Sequence, residues 1–291
     1  MSSSSMAVAE KMCQGSPLKR LARRITPPSV WTRLRLAKLR RHVANFQHRT
    51  VRHSYSGFEF TVELPDGMAQ GWYDQDWAAL PEMGLLQSGK LKPGARVFDL
   101  GAHQCVYAMV IARIVGESGF VLAVEGSAHN AAAGRQNIRL NGIENLTVTH
   151  AVVAEKPGRM AFNEGLNGRV DDGSGAWGRT VVQAVSIDQL AQAHGFPDVL
   201  FLDVEGYETA ALKGARETLA RRPDCFVEVH TGHGLEAFGS SIEEVVSFFP
   251  ESIYRRQVWS EIVPEVLDYQ PGLPVLRDRF YLVATARKEV V

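Results

Sequence analysis

From Phe58 onward the chain alternates short apolar runs with stretches of helical period, and several of the runs stop on an acid. Apolar runs of about four to eight residues bounded by turn residues read as strands, and 3.6-period stretches read as helices. The pattern predicts a short strand at 58–64 and main strands at 96–100, 120–124, 146–153, 199–204 and 225–230. It predicts helices at 76–87, 106–115, 128–141, 187–194, 209–220 and 242–249. A side hairpin pairs 159–162 with 181–185, and strands 253–258 and 279–284 close the chain across a proline-rich link. Helices between consecutive apolar strands imply crossover connections. The expected fold class is therefore α/β, a doubly wound, mostly parallel sheet. The last two strands, with no helix between them, form an antiparallel edge hairpin at its C-terminal end.

Charge is divided unevenly along this chain. Lys plus Arg and Asp plus Glu both total 32, so the net charge is zero. Residues 1–57 hold twelve bases and one acid, a net +11, and residues 58–291 carry a net −11. The chain reads as a basic N-terminal arm, 1–57, ahead of one acidic domain, 58–291. Ser2 to Ser5, Pro17, Pro27 and Pro28 make residues 1–29 a disordered lead. Residues 30–46 are expected to form a helix, with Leu36, Leu39, Val43 and Phe46 on one face and Arg33, Arg35, Lys38, Arg40 and Arg41 around the rest. Such a helix either packs on the body or lies on an anionic membrane, and the second reading gives peripheral contact through residues 30–52. No nucleic-acid partner is expected, because no aromatic platform interleaves the charges.

The longest run without a charged side chain, Leu100 to Ala112, has 13 residues. A bilayer span needs roughly 20. Met1 to Glu10 lacks the basic start and apolar core of a secretory signal, although an Arg-rich, acid-poor arm shares its composition with organelle transit peptides. Three isolated cysteines, Cys13, Cys105 and Cys225, fit a reducing compartment. The expected location is cytoplasmic, and peripheral at the membrane if the arm lies on it rather than on the body.

In a doubly wound sheet, ligands bind beyond the carboxyl ends of the strands, where the strand order reverses. Four strand ends carry acids. Asp99 precedes the turn Gly101-Ala102-His103, and Glu125-Gly126-Ser127 ends the next strand, 26 residues after Asp99. A carboxylate in that second position can accept both hydroxyls of a ribose. Asp203-Val204-Glu205-Gly206 ends the fourth strand and Glu228-Val229-His230 the fifth. The glycine turn is incomplete against G-x-G-x-x-G, since His103 and Cys105 follow Gly101. A pyrophosphate needs close backbone approach, so a nicotinamide dehydrogenase is disfavoured and a cofactor without phosphates fits better. As purely structural residues, Asp99 and Glu125 would be helix N-caps.

The run Val97 to Ala102 is similar to the first motif of class I methyltransferases. Leu202-Asp203-Val204-Glu205-Gly206-Tyr207-Glu208, followed by Leu212-Lys213-Gly214-Ala215, resembles the FkbM family of S-adenosylmethionine-dependent methyltransferases. Asn137 to Gly142, Val185 to Asp188 and Glu228 to His230 resemble that family too, in order over residues 98–230. The resemblance implies a Rossmann-like class I methyltransferase fold for residues 58–291, with S-adenosyl-L-methionine as cofactor. It implies O-methylation of a hydroxyl on a sugar, glycolipid or natural-product acceptor. The cofactor is expected at Asp99, Gly101, Ala102, His103, Glu125, Gly126 and Ser127. The chain departs from the family at His103-Gln104-Cys105, where Asn-x-Gly is usual, and at Gly126, where Pro is usual. The alternative these departures raise is a catalytically inactive module held at membrane surfaces by its basic arm.

Methyl transfer from a sulfonium needs an aligned, desolvated nucleophile, and an alcohol must lose its proton as it attacks. His230 is the expected base by intrinsic pKa, oriented by Glu228 two residues away, with a rate that falls as pH drops through roughly 6–7. Asp203 and Glu205 are the other expected catalytic residues, as bases or as holders of a divalent metal. His230 and His233 are compatible with a metal pair, but no metal is assigned. Substrate contacts are expected from the loops 165–178, 231–239 and 264–274. No Asn/Asp-Pro-Pro-Tyr/Phe sequence is present, which argues against methylation of nucleobase amino groups.

Overall fold

The computed structural model describes residues 28–172 and 179–287. Residues 1–27, where a disordered lead is expected, and Gly173, Gly175 and Gly178 of the glycine-rich loop lie outside the described residues. Helix α1 (Pro28–Ala44) leads into the antiparallel hairpin β1 (Arg49–Tyr55) and β2 (Phe58–Leu64). The boundary expected at 57/58 therefore falls in the turn of this hairpin. In β2, Phe60, Val62 and Leu64 are buried at every second position, which is the period of a strand with one face on a core. Leu36, Leu39 and Val43 of α1 and Phe46, two residues past its end, are half-buried, while Leu34 and the bases Arg33, Lys38, Arg40 and Arg41 are exposed.

Next come α2 (Gly67–Tyr73) and α3 (Pro81–Gln87). Asp66 starts α2, its Oδ1 accepting the Met68 and Ala69 N–H groups at 2.9 Å each. The helix expected over 76–87 forms only from Pro81. Proline is tolerated in a first turn and disrupts a helix interior. Ahead of it, the Trp77 N–H donates to the Ser54 carbonyl instead, at 2.9 Å.

The body then follows the expected alternation: β3 (Arg96–Leu100), α4 (Val106–Val115), β4 (Phe120–Glu125), α5 (Ala128–Leu140) and β5 (Leu146–His150). A side region holds β6 (Val152–Val153), β7 (Gly158–Asn163), β8 (Arg169–Val170) and β9 (Arg179–Val185), and α6 (Ile187–His194) returns the chain to β10 (Val199–Leu202). After β10 come α7 (Glu208–Lys213), α8 (Arg216–Ala220), β11 (Asp224–Val229), α9 (Ile242–Ser247), β12 (Tyr254–Trp259), β13 (Leu267–Asp268) and β14 (Phe280–Ala286). The main sheet has the order β13-β12-β14-β11-β10-β3-β4-β5. The five strands from β11 to β5 are parallel, and β14 runs antiparallel between β11 and β12. This is a Rossmann-like arrangement. The expected antiparallel hairpin is present, with the later strand on its inner side.

Two expected elements are divided. The strand expected at 146–153 splits at Ala151 into β5, on the main sheet, and β6, in a separate sheet of order β6-β9-β7-β8. The helix expected at 209–220 breaks at Gly214, where a side chain would overlap the Ala154 carbonyl. Periodicity reports which face is buried and not which sheet a strand joins, so neither break is visible in it.

Alternate residues of β3 feed two cores. Val97 packs with Met109 and Ile111 of α4 and with Phe60 of the hairpin. Phe98 and Leu100 pack on the other face with Leu190 of α6 and Leu212 of α7. Each fully buried aliphatic or aromatic side chain contributes about 1.5–3 kcal/mol. Asn137 of α5 and Asn141, which caps its C-terminus, fasten the hairpin to the body. Asn141 exchanges two hydrogen bonds of 2.8 Å with the Thr61 backbone. Asn137 accepts the Glu63 N–H at 2.9 Å and donates to the Gln104 carbonyl at 3.0 Å. Asn137→Ala leaves both of these groups without their partner. The expected cost is about 1–3 kcal/mol, read as a lower urea midpoint with an unchanged slope.

Candidate active site

The strand order reverses between β3 and β10, and the turns after these strands touch. Gly101 has φ +97°, and a Cβ there would overlap the Asp203 carbonyl oxygen. Only glycine meets both conditions. The Gly101 and Ala102 N–H groups donate to the Val124 carbonyl at 2.8 and 3.1 Å. Asp99, just inside this turn, is buried with its Oδ2 unpartnered, and burial pushes its carboxyl up to about 7.

Glu125 is buried at the end of β4. Its Oε1 accepts the Ser127 N–H at 2.6 Å and its Oε2 the His103 N–H at 2.8 Å. Burial raises its carboxyl to about 8 despite these two bonds. Ser127 also caps α5 through Asn130, and Gly126 lies where a Cβ would press on Phe162. His103 has φ +47° and is neutral, its imidazole pulled down to about 4 by burial. Its Nε2 donates to the Leu166 carbonyl at 3.0 Å, so its Nδ1 accepts from the Tyr73 hydroxyl at 2.6 Å. The Leu166 carbonyl also takes the Asn130 Nδ2–H at 2.8 Å. Asn167 of the same segment donates to Glu205. The segment thus ties the turns after β3 and β4 to the end of β10.

The second half of the site is an acid-rich cluster around His230, which is 1% exposed. Its Nδ1 bonds Glu208 Oε1 at 2.7 Å, and that same oxygen accepts the Gly206 N–H at 2.8 Å. Its Nε2 has no hydrogen-bond partner. Around it lie Asp203 Oδ1 and Glu205 Oε2, each at 3.6 Å, and Glu228 Oε1 at 3.8 Å. Glu228 is paired with Arg279 at 3.1 Å. Burial opposes the imidazolium, but the Glu208 hydrogen bond and the charges of Glu205, Asp203 and Glu208 outweigh it and raise His230 to about 10. Burial and the charge of Glu228 raise the Asp203 carboxyl well above its usual range. Glu205 adopts φ +55°, a sparsely populated conformation for a side-chain-bearing residue that recurs at functional sites. Asp203, Glu228 and His230 each offer one metal-donor atom, all within 4.8 Å of one another.

The structure therefore gathers Asp99, Gly101, Ala102, His103, Glu125, Gly126 and Ser127 at one pair of strand ends. It gathers Asp203, Glu205 and His230 at the adjoining pair. Three expectations change. Glu208 orients His230, because His230 lies past the end of β11 and its Nδ1 turns to α7, while Glu228 is held by Arg279. The acids around His230 raise it to about 10, above the window of roughly 6–7 expected for an unperturbed imidazole base. His233 does not join His230 in a metal pair, since its Nε2 meets Asp278 at 2.6 Å. Sequence reasoning assigned no role to Glu208, although Glu208 closes the Asp-Val-Glu-Gly-Tyr-Glu run. Tyr73, Leu166 and Arg279 had no signal at all.

The buried Glu125 links this site to stability. Its folded value of about 8 exceeds its ordinary 4.5. Between those values the folded chain holds a proton that the unfolded chain has released, so stability falls as pH rises through the window. Glu125→Gln has no such proton. In the cofactor-free protein its unfolding free energy relative to wild type should rise between about pH 5 and about pH 8, by at most about 1.4 kcal/mol per pH unit. Urea unfolding at a series of pH values measures this.

The FkbM methyltransferase domain matches residues 99–256, from Asp99 through the acid cluster to β12. A curated relative, the 23S rRNA (uracil(1939)-C(5))-methyltransferase RlmD of Psychrobacter arcticus, is 34% identical over 155 residues. The match covers 49% of this chain and 28% of the relative, so the chain spans little more than a quarter of that protein's length. The crystal structure of an FkbM methyltransferase from Methylobacillus flagellatus has 17% identity and a TM-score of 0.44, over 65% of this chain and 43% of its own. A SAM-dependent O-methyltransferase from Thermotoga maritima has 17% identity and a TM-score of 0.43, over 83% of this chain and 79% of its own. The domain match takes in more than half of the chain, and on that ground the chain belongs to the FkbM family of S-adenosylmethionine-dependent methyltransferases.

Proposed function

We propose that this chain moves the methyl group of S-adenosylmethionine onto a hydroxyl of a sugar, glycolipid or natural-product acceptor. The observation that carries the reading is the acid cluster of Asp203, Glu205 and Glu228 set directly against the Gly101 turn. An alcohol attacking a sulfonium methyl must give up a proton, and this cluster puts proton acceptors beside the cofactor's expected position. Glu125 holds the ribose: each of its oxygens accepts one N–H and keeps a lone pair for a hydroxyl. The unpartnered Asp99 oxygen pairs with the cofactor's ammonium. Gly101, Ala102, Gly126 and Ser127 border the cofactor with backbone and small side chains. His103 acts as a positioning residue, its main-chain N–H holding Glu125 and its neutral ring tied at both nitrogens. Asp203 or Glu205 receives the acceptor's proton.

Carbon methylation of a uracil, the reaction in the curated relative's name, is a poorer fit. That carbon becomes nucleophilic when a thiolate adds beside it. Burial pushes the thiols of Cys105 and Cys225, the cysteines among the described residues, well up and leaves them inert. The exposed bases of α1 favour an acceptor presented at an anionic membrane surface, such as a glycolipid.

The decisive measurement is turnover of methyl-labelled cofactor with a panel of hydroxylated acceptors, the product's methylated atom being located by NMR. Transfer to oxygen is expected. Transfer only to an RNA carbon, or none to any acceptor, overturns the proposal, the second result leaving the inactive membrane module. Glu125→Ala removes two charge-assisted bonds to the ribose, each about 1.5–3 kcal/mol. Calorimetry should show cofactor affinity weakened by at least about 10²-fold. An unchanged affinity puts the ribose elsewhere.

A further inference from the structure

We propose that Asp203, Glu228 and His230 form a binding site for a divalent transition-metal cation, of which Mn²⁺ and Zn²⁺ are the readiest probes. The distances carry the proposal. His230 Nε2 is 3.6 Å from Asp203 Oδ1 and 3.8 Å from Glu228 Oε1. These separations are too long for hydrogen bonds. They are close to the spacing of about 3.4 Å between two ligands bound tetrahedrally to one ion at about 2.1 Å. A buried donor or acceptor without a partner costs about 1–3 kcal/mol. Two such atoms, His230 Nε2 and Asp203 Oδ1, face the same small space. His230 is 1% exposed, so water does not pair its Nε2 from outside.

Glu208 supplies the second, independent observation. It is fully buried, fixed by the Gly206 N–H, and takes the Nδ1–H of His230. That bond fixes the ring with Nε2 aimed at the two carboxylates, where a metal ion would take the place of the Nε2 proton. A carboxylate behind an imidazole is how metal-binding histidines are usually oriented. Charge argues the same way. Asp203, Glu205, Glu208 and Glu228 converge on one imidazole, and the nearest fixed cation, Arg279, is shared between Glu228 and Glu261. One divalent ion would neutralise much of the remaining excess. One nitrogen and two carboxylates favour Mn²⁺, Co²⁺ or Zn²⁺ over Mg²⁺ and Ca²⁺, which prefer all-oxygen shells.

The catalytic role of such an ion rests on the hydroxyl-methylation reading, although the site itself does not. A cation here would draw electron density from the acceptor hydroxyl and lower its pKa. The proton passes to Glu205, which lies 3.6 Å from His230 Nε2 with its other oxygen held by Asn167. The O–CH₃ bond forms as the S–CH₃ bond breaks. The bonding pair stays on sulfur, and S-adenosylhomocysteine leaves.

The test uses the full chain, stripped with a chelator and dialysed. Loss of the free Mn²⁺ electron-spin signal, or calorimetry with Mn²⁺ and Zn²⁺, reads binding without any acceptor. One ion per chain with micromolar or tighter affinity is expected. Glu208→Gln, which keeps the shape but weakens the orienting bond, should bind about 10–100-fold more weakly. His230→Ala and Glu228→Gln should lose the site, with circular dichroism showing that each remains folded. A folded wild type that binds neither ion below about 1 mM overturns the site and leaves hydroxyl methylation standing. So does a His230→Ala protein that binds as the wild type does. Stoichiometric binding with no methyl transfer to any hydroxyl supports the site while removing the O-methylation reading.

Discussion

The close approach of Gly101 to the Asp203 carbonyl brings two chemically different strand ends together in one site. β3 and β10 are neighbours, in register from Val97↔Val199 to Leu100↔Leu202. Parallel register alone brings their carboxyl ends level. The missing side chain at Gly101 lets the turns beyond them meet, so that a cofactor held by the β3 and β4 ends would lie beside the acids of β10 and β11. Any residue larger than glycine would part the two turns, and the two halves of the site with them.

The acids gathered there are not what folding alone would select. Burial favours neutral carboxyls, and Asp99, Glu125 and Asp203 all have values raised by burial. Each therefore weakens the ligand-free chain wherever it must ionise. The chain offsets part of this cost with backbone N–H donors on Glu125 and on Glu208, and leaves other atoms, Asp99 Oδ2 and His230 Nε2 among them, with no partner. Binding partners that supply the missing contacts would recover that energy, which is how a pre-organised polar site converts stability into affinity.

The strand ends were legible because an acid closing an apolar run is a local pattern. Asp99, Glu125, Asp203 and Glu228 all stand out in this way. What was not legible depends on tertiary packing. His230 looked as though Glu228 would orient it, since two residues apart on one strand share a face. The strand stops at Val229, and the partner comes from α7 instead. Tyr73 sits in a seven-residue helix too short to show a period, and Leu166 acts through its carbonyl, which sequence does not encode. The breaks at Ala151 and Gly214 likewise depend on tertiary placement, since the chain changes sheets at Ala151 and Gly214 lies against the Ala154 carbonyl just past β6.

The departures from the family pattern prove to be locally consistent with one another. Cys105 stands where a glycine is usual and takes φ +61°, so the turn keeps its left-handed geometry with a side chain present. That side chain needs room, and Gly134 on α5 provides it, since a Cβ at 134 would lie 2.5 Å from the Cys105 sulfur. His103 stands where an asparagine is usual, also left-handed, and its main-chain N–H reaches Glu125 while Tyr73 and Leu166 take up its ring. A site under no constraint would accumulate unmatched changes, leaving a clash at 105 or an unpaired buried imidazole at 103. Here each change has its complement in a residue remote in sequence, and the Glu125 carboxylate keeps both of its backbone donors. The unusual turn is therefore a repacked one, and its departures give no physical ground for reading the chain as inactive.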